Sequence, residues 1–285
     1  MIFETANAKL NLSLDTLYKR DDGFHEVDMV MTTIDLSDHL VFHKTNNRGM
    51  IHIEVDNRFV PTDKRNLVYQ VIDYFIREFN LDAGVRVELT KRIPISAGMA
   101  GGSSDAAATL RGMNVLFNLG LSLEELANIG AQFGSDIPFC VYNKTARCTG
   151  RGEKIQHIAN TPSCWAVIAK PNVGVSTKEV YDQFDVEIHQ AEMNNDKLVC
   201  ALENKDYLEM VKHMGNDLEL VTEQFVSEVK QFKETMINAG VDIAMMSGSG
   251  PTVFGLCQKE RQANKVYNSI KGCCTDAVSY THLTL

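Results

Sequence analysis

The chain has 285 residues, of which 44% are hydrophobic and 23% are charged, and its formal net charge is −9. This composition is typical of a globular protein and excludes a disordered or fibrous one. The acidic balance disfavours general binding to nucleic acid or to an anionic membrane surface. A local anion site remains compatible with it, because backbone amides at the start of a helix bind phosphate without basic side chains.

Membrane insertion and secretion are not expected. No apolar stretch approaches the roughly 18 residues that a membrane span requires, and the N-terminus lacks the features of a secretory signal. The seven cysteines are scattered and never form a C-x-x-C pair, which argues against a disulfide framework or a zinc site. We therefore expect a cytoplasmic protein with buried thiols and no metal-ligand cluster.

The first half of the chain shows the periods of strands and of helices. Alternating apolar residues predict strands at 6–14, 27–34, 50–55 and 85–89. Helical spacing predicts helices at 66–79, 105–117 and 123–133. Ser103 or Ser104 is the expected N-cap of the second helix, with Asp105 in its first turn.

A Gly-Arg-Gly turn within residues 149–153 interrupts the pattern, and we place a lobe boundary near residue 158. The predicted lobes are therefore 1–158 and 159–285. In the second lobe the patterns predict strands and helices at 165–169, 197–202, 207–214, 226–239, 243–247, 252–256 and 261–270. Mixed strands and helices favour an α+β fold. Residues 279–285 are compatible with an edge strand and equally with a sequence artefact, and no function is inferred from them.

A glycine- and serine-rich loop lies between a predicted strand and a predicted helix. Its glycines allow close approach of the backbone to a ligand, and the helix start directs N–H groups at that ligand. A triphosphate is the natural guest, although a tight strand-to-helix connection would have the same composition. The candidate nucleotide residues are Pro94, Ile95, Ser96, Ala97, Gly98, Met99, Ala100, Gly101, Gly102, Ser103 and Ser104. Neither the Walker A motif nor the protein-kinase glycine motif is present.

Three motifs together resemble those of the GHMP kinase family. The loop P-I-S-A-G-M-A-G-G-S-S resembles the family signature P-x-x-x-G-L-G-S/G-S-S. Residues 6–12, A-N-A-K-L-N-L, resemble A-P-A-K-I-N-L, and residues 246–255, M-S-G-S-G-P-T-V-F-G, resemble the C-terminal glycine-rich turn. Their order along the chain is that of the family.

The resemblance implies a two-lobed fold, with an N-terminal lobe like domain 2 of ribosomal protein S5 and a ferredoxin-like C-terminal lobe. It also implies transfer of phosphate from ATP, with Mg²⁺, to a hydroxyl of a small molecule. Residues 19–25, 134–139 and 149–153 are similar to a subgroup that acts on a cytidyl-diphosphate sugar alcohol. A monomer or homodimer without nucleic-acid or membrane partners is expected.

The resemblance assigns catalysis to Lys9 and Asp136, which match the catalytic residues of the family within their motifs. Phosphoryl transfer needs a carboxylate to accept the hydroxyl proton and a cation near the transferred group. We predict Asp136 as general base and Lys9 as its charge partner. Without the resemblance, either residue would be read as a surface charge.

The same alignment assigns binding residues. Asn11 and His25 are expected to hold the substrate, with His25 on the cytosine edge. Phe24, where the family commonly has Tyr, and Tyr181 are expected to stack on the base. Asn66 is expected to contact the adenine or ribose.

Two departures and one further turn concern the backbone. Asn7 replaces the usual Pro of the first motif, which loosens the backbone there. Ala100 stands where Gly is frequent, so this position must accept a Cβ. The turn formed by Gly248, Ser249, Gly250 and Pro251 is expected to offer amides to substrate phosphates, although a hairpin turn explains it equally well.

Two alternatives remain open at this stage. The chain could be a GHMP-type kinase for a different alcohol, for which a His25→Ala change would matter little. It could also be a non-catalytic metabolite-binding protein, against which the presence of both Lys9 and Asp136 argues.

Overall fold

The computed structural model describes residues 1–274 with their side chains and residues 278–283 by their backbone. Residues 275–277, 284 and 285 lie outside this description. The chain forms two compact units. The first unit comprises residues 1–8, 37–93 and 100–143, and the second comprises 9–36, 94–99 and 144–285. Because the units alternate along the sequence, a single boundary near residue 158 stays a prediction.

Parts of four strands lie in the sheet of the first unit, one of them the start of β1 (Ile2–Lys19). The second half of β2 (His25–Thr45) pairs antiparallel with β4 (Gly84–Thr90), and β3 (Ile51–Val55) pairs with β4 in parallel. Phe42 of β2 is fully buried and contributes to the core. Burial of alternate residues on one face explains why these segments form strands.

Four helices complete the first unit: α1 (Leu67–Glu78), α2 (Gly101–Leu116), α3 (Leu123–Gly130) and α4 (Ile137–Tyr142). Helix α3 begins with a capping box, in which Ser122 and Glu125 satisfy each other's backbone N–H groups. Gly112 of α2 faces Phe42, and a Cβ there would lie 2.6 Å from the ring. Glycine at this position therefore permits the close packing of α2 on β2.

The second unit contains two groups of strands. The first half of β2 pairs antiparallel with β5 (Ala146–Gly150), which pairs with β6 (Lys154–His157). The strand β1 (Ile2–Lys19) pairs in parallel with the short β8 (Gly215–Asn216) at Ser13 and Leu14. A separate antiparallel sheet has the order β11-β7-β10-β9 and contains β7 (Cys164–Ala169), β9 (Ile243–Met246), β10 (Val253–Cys257) and β11 (Val278–Leu283).

Six helices belong to the second unit: α5 (Thr177–Gln183), α6 (Asn195–Glu203), α7 (Tyr207–Lys212), α8 (Glu219–Phe225), α9 (Ser227–Ala239) and α10 (Glu260–Lys271). Apolar residues of α9, namely Val229, Phe232 and Met236, are buried at helical spacing. Among the described residues, no helix has both the length and the apolar character that crossing a bilayer demands.

The structure confirms the α+β class and most of the predicted elements. Sequence patterns missed α4, α5 and α8, which have six or seven residues each. Helices of fewer than two turns show too little hydrophobic periodicity to be recognised in the sequence. Their stability depends on tertiary packing. The predicted N-cap of α2 was wrong. The helix begins at Gly101 after Ala100, so Ser103 and Ser104 lie inside its first turn.

Candidate active site

Lys9 lies on β1 in the second unit and is only 4% exposed. Its ammonium donates to the carbonyl oxygen of Gly98 at 2.9 Å and to Asn11 Oδ1 at 2.5 Å. Its backbone N–H donates to the carbonyl of Met99 at 3.2 Å. The first motif and the start of the glycine-rich loop therefore meet at Lys9. Both acceptors of the ammonium are uncharged.

The C-terminal glycine-rich turn lies at the same place. Ser247 Oγ donates to the carbonyl of Gly98 at 3.1 Å and accepts from the N–H of Asn11 at 3.4 Å. Gly248 has a φ of +59°, and a Cβ there would lie 3.1 Å from Lys9 Nζ. The third family motif thus packs against the first two within the second unit.

Ser247 and Asn216 are contacts that the sequence analysis missed. Asn216 is buried, and its amide donates to the carbonyls of Met246 and Gly248 at 2.8 Å each. Ser247 lay within a recognised motif, so its hydroxyl offered a signal. Asn216 lies outside all three motifs, and only the fold reveals that it holds the turn.

Helix α2 begins directly after the left-handed residue Ala100, with φ 58° and ψ 27°. A non-glycine residue in this region is uncommon, and the strain here follows a loop that turns sharply into a helix. The first intrahelical bond runs from the N–H of Ser104 to the carbonyl of Ala100 at 2.8 Å. The amides of Gly101, Gly102 and Ser103 therefore precede the regular bonding and form the helix N-terminus.

The two serines of this helix differ. Ser104 is buried, and its hydroxyl donates to the carbonyl of Asn7 at 2.5 Å, which ties α2 to the start of β1. Ser103 is half-buried. Of the two hydroxyls proposed for phosphate contact, Ser103 is the more accessible.

Asp136 lies in the first unit at the N-cap position of α4. A turn at residues 135–136 leads directly into the helix, which begins at Ile137. The side chain of Asp136 makes no capping hydrogen bond and is half-buried. Its carboxylate is therefore not committed to the helix, and its pairing with Lys9 stays a prediction.

The residues predicted to bind the base divide into two groups. The His25 ring stacks on Tyr181, with ring centroids 5.2 Å apart and an interplanar angle of 28°. Phe24 is instead 51% exposed, and the guanidinium of Arg151 lies 4.9 Å from its ring centroid. Burial lowers the pKa of His25, and the charge of Lys19 acts in the same direction. A neutral imidazole is therefore favoured at His25.

Two predicted binding residues have polar groups that already have partners. Asn66 is the N-cap of α1: its Oδ1 accepts from the N–H of Val68 at 2.9 Å, and its Nδ2 donates to Pro61 at 2.7 Å. Asn11 is fully buried, and besides accepting from Lys9 it donates to Met29 Sδ at 3.3 Å. Their ligand contacts stay predictions.

Comparison with known proteins decides the family. Residues 66–144 match the family model for the GHMP kinases N terminal domain, and residues 198–275 match that for the GHMP kinases C terminal. The chain belongs to the GHMP kinase family. Members of this family are small-molecule kinases, and this chain is one of them.

Individual relatives agree with the family assignment. A 4-diphosphocytidyl-2-C-methyl-D-erythritol kinase of Macrococcus caseolyticus is 53% identical over 276 residues, which are 97% of each chain. A crystal structure of 4-(cytidine 5'-diphospho)-2C-methyl-D-erythritol kinase is 27% identical with a TM-score of 0.85 over the full length of both chains. A homoserine kinase from Cytophaga hutchinsonii, 17% identical with a TM-score of 0.75 over 99% of this chain and 95% of that one, shares the fold.

The GHMP kinase loop suits an anionic nucleotide tail, because the start of α2 presents amides and the positive end of its dipole. The part of the chain that the structure describes offers no comparable site for a metal ion. Among the described residues, no group of three or more His, Cys, Asp or Glu side chains could hold one. Mg²⁺ in nucleotide sites is held largely by phosphates and water, so we assign it no protein ligand.

Proposed function

We propose that this GHMP kinase transfers the γ-phosphoryl group of ATP to the 2-hydroxyl of 4-diphosphocytidyl-2-C-methyl-D-erythritol, a step of the methylerythritol phosphate route to isoprenoids. The proposal is supported by the names of the Macrococcus relative and of the full-length structural neighbour. Cysteine usage supports a cytoplasmic location, since none of the seven cysteines forms a disulfide.

The observation that carries the proposal is the environment of Lys9. Burying an ammonium is costly unless its charge is compensated, yet the ammonium of Lys9 bonds to the uncharged oxygens of Gly98 and Asn11. Those contacts fix its position without neutralising it. A positioned positive charge beside the glycine-rich loop suits the developing charge of a phosphoryl transfer.

In the proposed reaction the acceptor oxygen attacks the γ-phosphorus as its proton passes to the carboxylate of Asp136. The bond between the γ-phosphorus and the bridging oxygen breaks, and ADP leaves. Lys9 stabilises charge on the acceptor and phosphoryl oxygens, while the α2 amides hold the phosphate tail. Mg²⁺ bound with ATP supplies further charge neutralisation on the phosphates.

At the other end of the substrate, His25 selects the cytosine. A neutral imidazole has one donor and one acceptor nitrogen, which suits hydrogen bonding to the edge of a base. Tyr181 fixes the orientation of the His25 ring by stacking on it. Phe24 provides an exposed aromatic face for the base. The base would then replace the guanidinium of Arg151 on that ring.

The test is a coupled ADP-release assay with three acceptors: 4-diphosphocytidyl-2-C-methyl-D-erythritol, homoserine and mevalonate. We expect turnover with the cytidyl compound alone. His25→Ala should raise the KM for that compound by about tenfold, the equivalent of one lost hydrogen bond of about 1.4 kcal/mol. His52→Ala is the matched control, because His52 is exposed and pairs only with Glu54 among the contacts described.

Turnover with homoserine or mevalonate instead would contradict the substrate assignment and favour a kinase for a different alcohol. An unchanged KM in His25→Ala would remove His25 from the base site.

A further inference from the structure

One lysine and two aspartates form a buried cluster in the first unit, which we call the Lys91 cluster. The ammonium of Lys91 contacts Asp38 Oδ2 and lies 2.6 Å from Asp105 Oδ2. The three side chains are between 0 and 5% exposed. None of the three was assigned a role by the sequence motifs or by the proposed reaction.

The cluster joins the two chain segments that flank the glycine-rich loop. Lys91 directly follows β4 and precedes the loop, whereas Asp105 lies in α2 just after it. Asp38 also accepts from the N–H groups of Arg92 at 2.5 Å and Ile93 at 2.8 Å. These bonds hold the segment that enters the loop against β2, and the Lys91–Asp105 pair holds the helix that leaves it.

Packing beside the cluster leaves little freedom at the helix start. A Cβ on Gly101 would lie 3.1 Å from Ile93 Cγ2 and 3.6 Å from Lys91 Nζ. The first residue of α2 is therefore seated directly on the segment that the cluster holds. A displacement of Lys91 or Asp105 would move the amides that face the phosphates.

Hydrogen-bond partners distinguish the two aspartates of the cluster. Two carboxylates around a single ammonium would leave a net negative charge in a buried place, which is unfavourable. Asp38 accepts from Lys91 and from two backbone N–H groups, so its carboxyl oxygens have more hydrogen-bond partners than those of Asp105. The bonds of Asp105 come from Lys91 through Oδ2, and its buried Oδ1 has no hydrogen-bond partner.

The pKa of Asp105 agrees with this assignment. Burial raises the pKa of Asp105 to about 8, with the Asp38 carboxylate adding to the rise and the Lys91 charge opposing it. The charged groups that face it are Lys91 from the end of β4 and Asp38 from β2. Asp56 also belongs to the surroundings, since it accepts from the backbone N–H of Lys91 at 2.9 Å. The raised pKa of Asp105 favours a cluster without net charge at neutral pH.

We propose that Asp105 is a positioning residue for the nucleotide, which holds the first turn of α2 through Lys91 while contributing no charge to the phosphate site. The inference rests on the proposed use of ATP but not on the identity of the alcohol. Asp105 is four residues beyond Gly101, or about 6 Å along the helix. Phosphates bound beyond Gly101 would lie farther from the Asp105 carboxyl, at roughly 10 Å, and an ionised Asp105 would oppose them across that distance.

The test measures the Kd of ATP with saturating Mg²⁺ by calorimetry from pH 7 to pH 9.5, above the range in which the phosphates themselves titrate. For the wild type we expect the Kd to rise about tenfold as Asp105 ionises, as expected for charges roughly 10 Å apart in a partly screened site. Asp105→Asn mimics the protonated form, so it should bind as the wild type does at pH 7 and change little at pH 9.

Glu54→Gln is the matched control, because Glu54 is also ion-paired but lies exposed on β3. It should follow the wild-type curve. A flat wild-type curve, or an Asp105→Asn curve as steep as that of the wild type, would overturn the proposal. The wild-type curve gives this answer even if Asp105→Asn does not fold.

The acceptor assay separates the two proposals. If the Kd of ATP rises with pH as expected but the cytidyl compound is not turned over, the proposed function is wrong and the role of Asp105 still holds. A wild type that binds no ATP would overturn both.

Discussion

Two buried lysines, one in each unit, differ in the groups that surround their ammonium. Lys91 is surrounded by the carboxyl groups of Asp38 and Asp105, whereas Lys9 bonds to the carbonyl of Gly98 and the amide oxygen of Asn11. Burial is nearly the same, with 5% of the Lys91 side chain and 4% of Lys9 exposed. The difference lies in the charge of the acceptors.

A buried lysine that is paired with carboxylates contributes to structure. A buried lysine that is held only by uncharged acceptors keeps its charge available for a ligand. Desolvating an ammonium without a counter-ion lowers stability, and such costs are typical of functional sites. We infer that the charge of Lys9, which its described hydrogen bonds leave uncompensated, is balanced in the bound state by the phosphates, the acceptor and the carboxylate of Asp136. The same reasoning assigns the Lys91 cluster to the support of the loop.

The largest expected effect concerns Lys9 and Asp136 as a catalytic unit. Lys9→Met should lower kcat by about 10²–10³ and Asp136→Asn by about 10²–10⁴. The double variant should be no slower than the worse single variant, because residues that act together lose their effect together. Steady-state kinetics of the four proteins measure this. Multiplicative losses would show that the two residues act independently.

The next effect concerns the stability that depends on Lys91. Lys91→Met leaves Asp38 buried without its ammonium partner and should cost about 3–5 kcal/mol in the free energy of unfolding. Urea titration followed by circular dichroism measures it. Arg86→Met is the control, since its partners Glu54 and Glu88 are exposed, and it should cost less than about 1 kcal/mol. Equal losses in the two variants would show that burial of the cluster is unimportant.

The smallest effect concerns the hydroxyl of Ser247, which donates to the same Gly98 carbonyl as Lys9. Ser247→Ala removes the donor to Gly98 and leaves the N–H of Asn11 without its acceptor. We expect a loss of about 1 kcal/mol in unfolding free energy and a fall in kcat of up to about tenfold, with the Kd of ATP little changed. A large rise in that Kd would mean that the turn positions the nucleotide rather than Lys9. Ser269→Ala is a surface control, since that hydroxyl bonds only within α10 among the contacts described.

The sequence contained enough information to place the three motifs and most elements. Gly98 was singled out from the composition of its glycine-rich loop, and Lys9 and Gly248 from the resemblance to the family motifs. The structure brings the three together in the second unit. The stacking of Tyr181 on His25 also joins two residues named in advance. Phe24, expected to stack on the same base, contacts the guanidinium of Arg151, and its stacking on the base stays a prediction.

The start of α2 shows why local rules fell short. Ser103 and Ser104 are strong N-cap residues by preference, but the helix starts earlier because Ala100 adopts the left-handed conformation and turns the chain into it. The hydroxyl of Ser104 then bonds to Asn7, which is 97 residues away in sequence. Tertiary contact overrode the local preference for capping.

The sequence by itself determined the chemistry of this kinase: which residues carry charge, where glycines permit sharp turns, and which segments alternate as strands. The tertiary structure decided which charges are cancelled. Asp38 lies 53 residues before Lys91 and Asp105 lies 14 residues after it, so no local pattern links the three. Their pairing follows from which strand and helix pack side by side, and that choice is made by burial of the whole apolar core rather than by neighbouring residues.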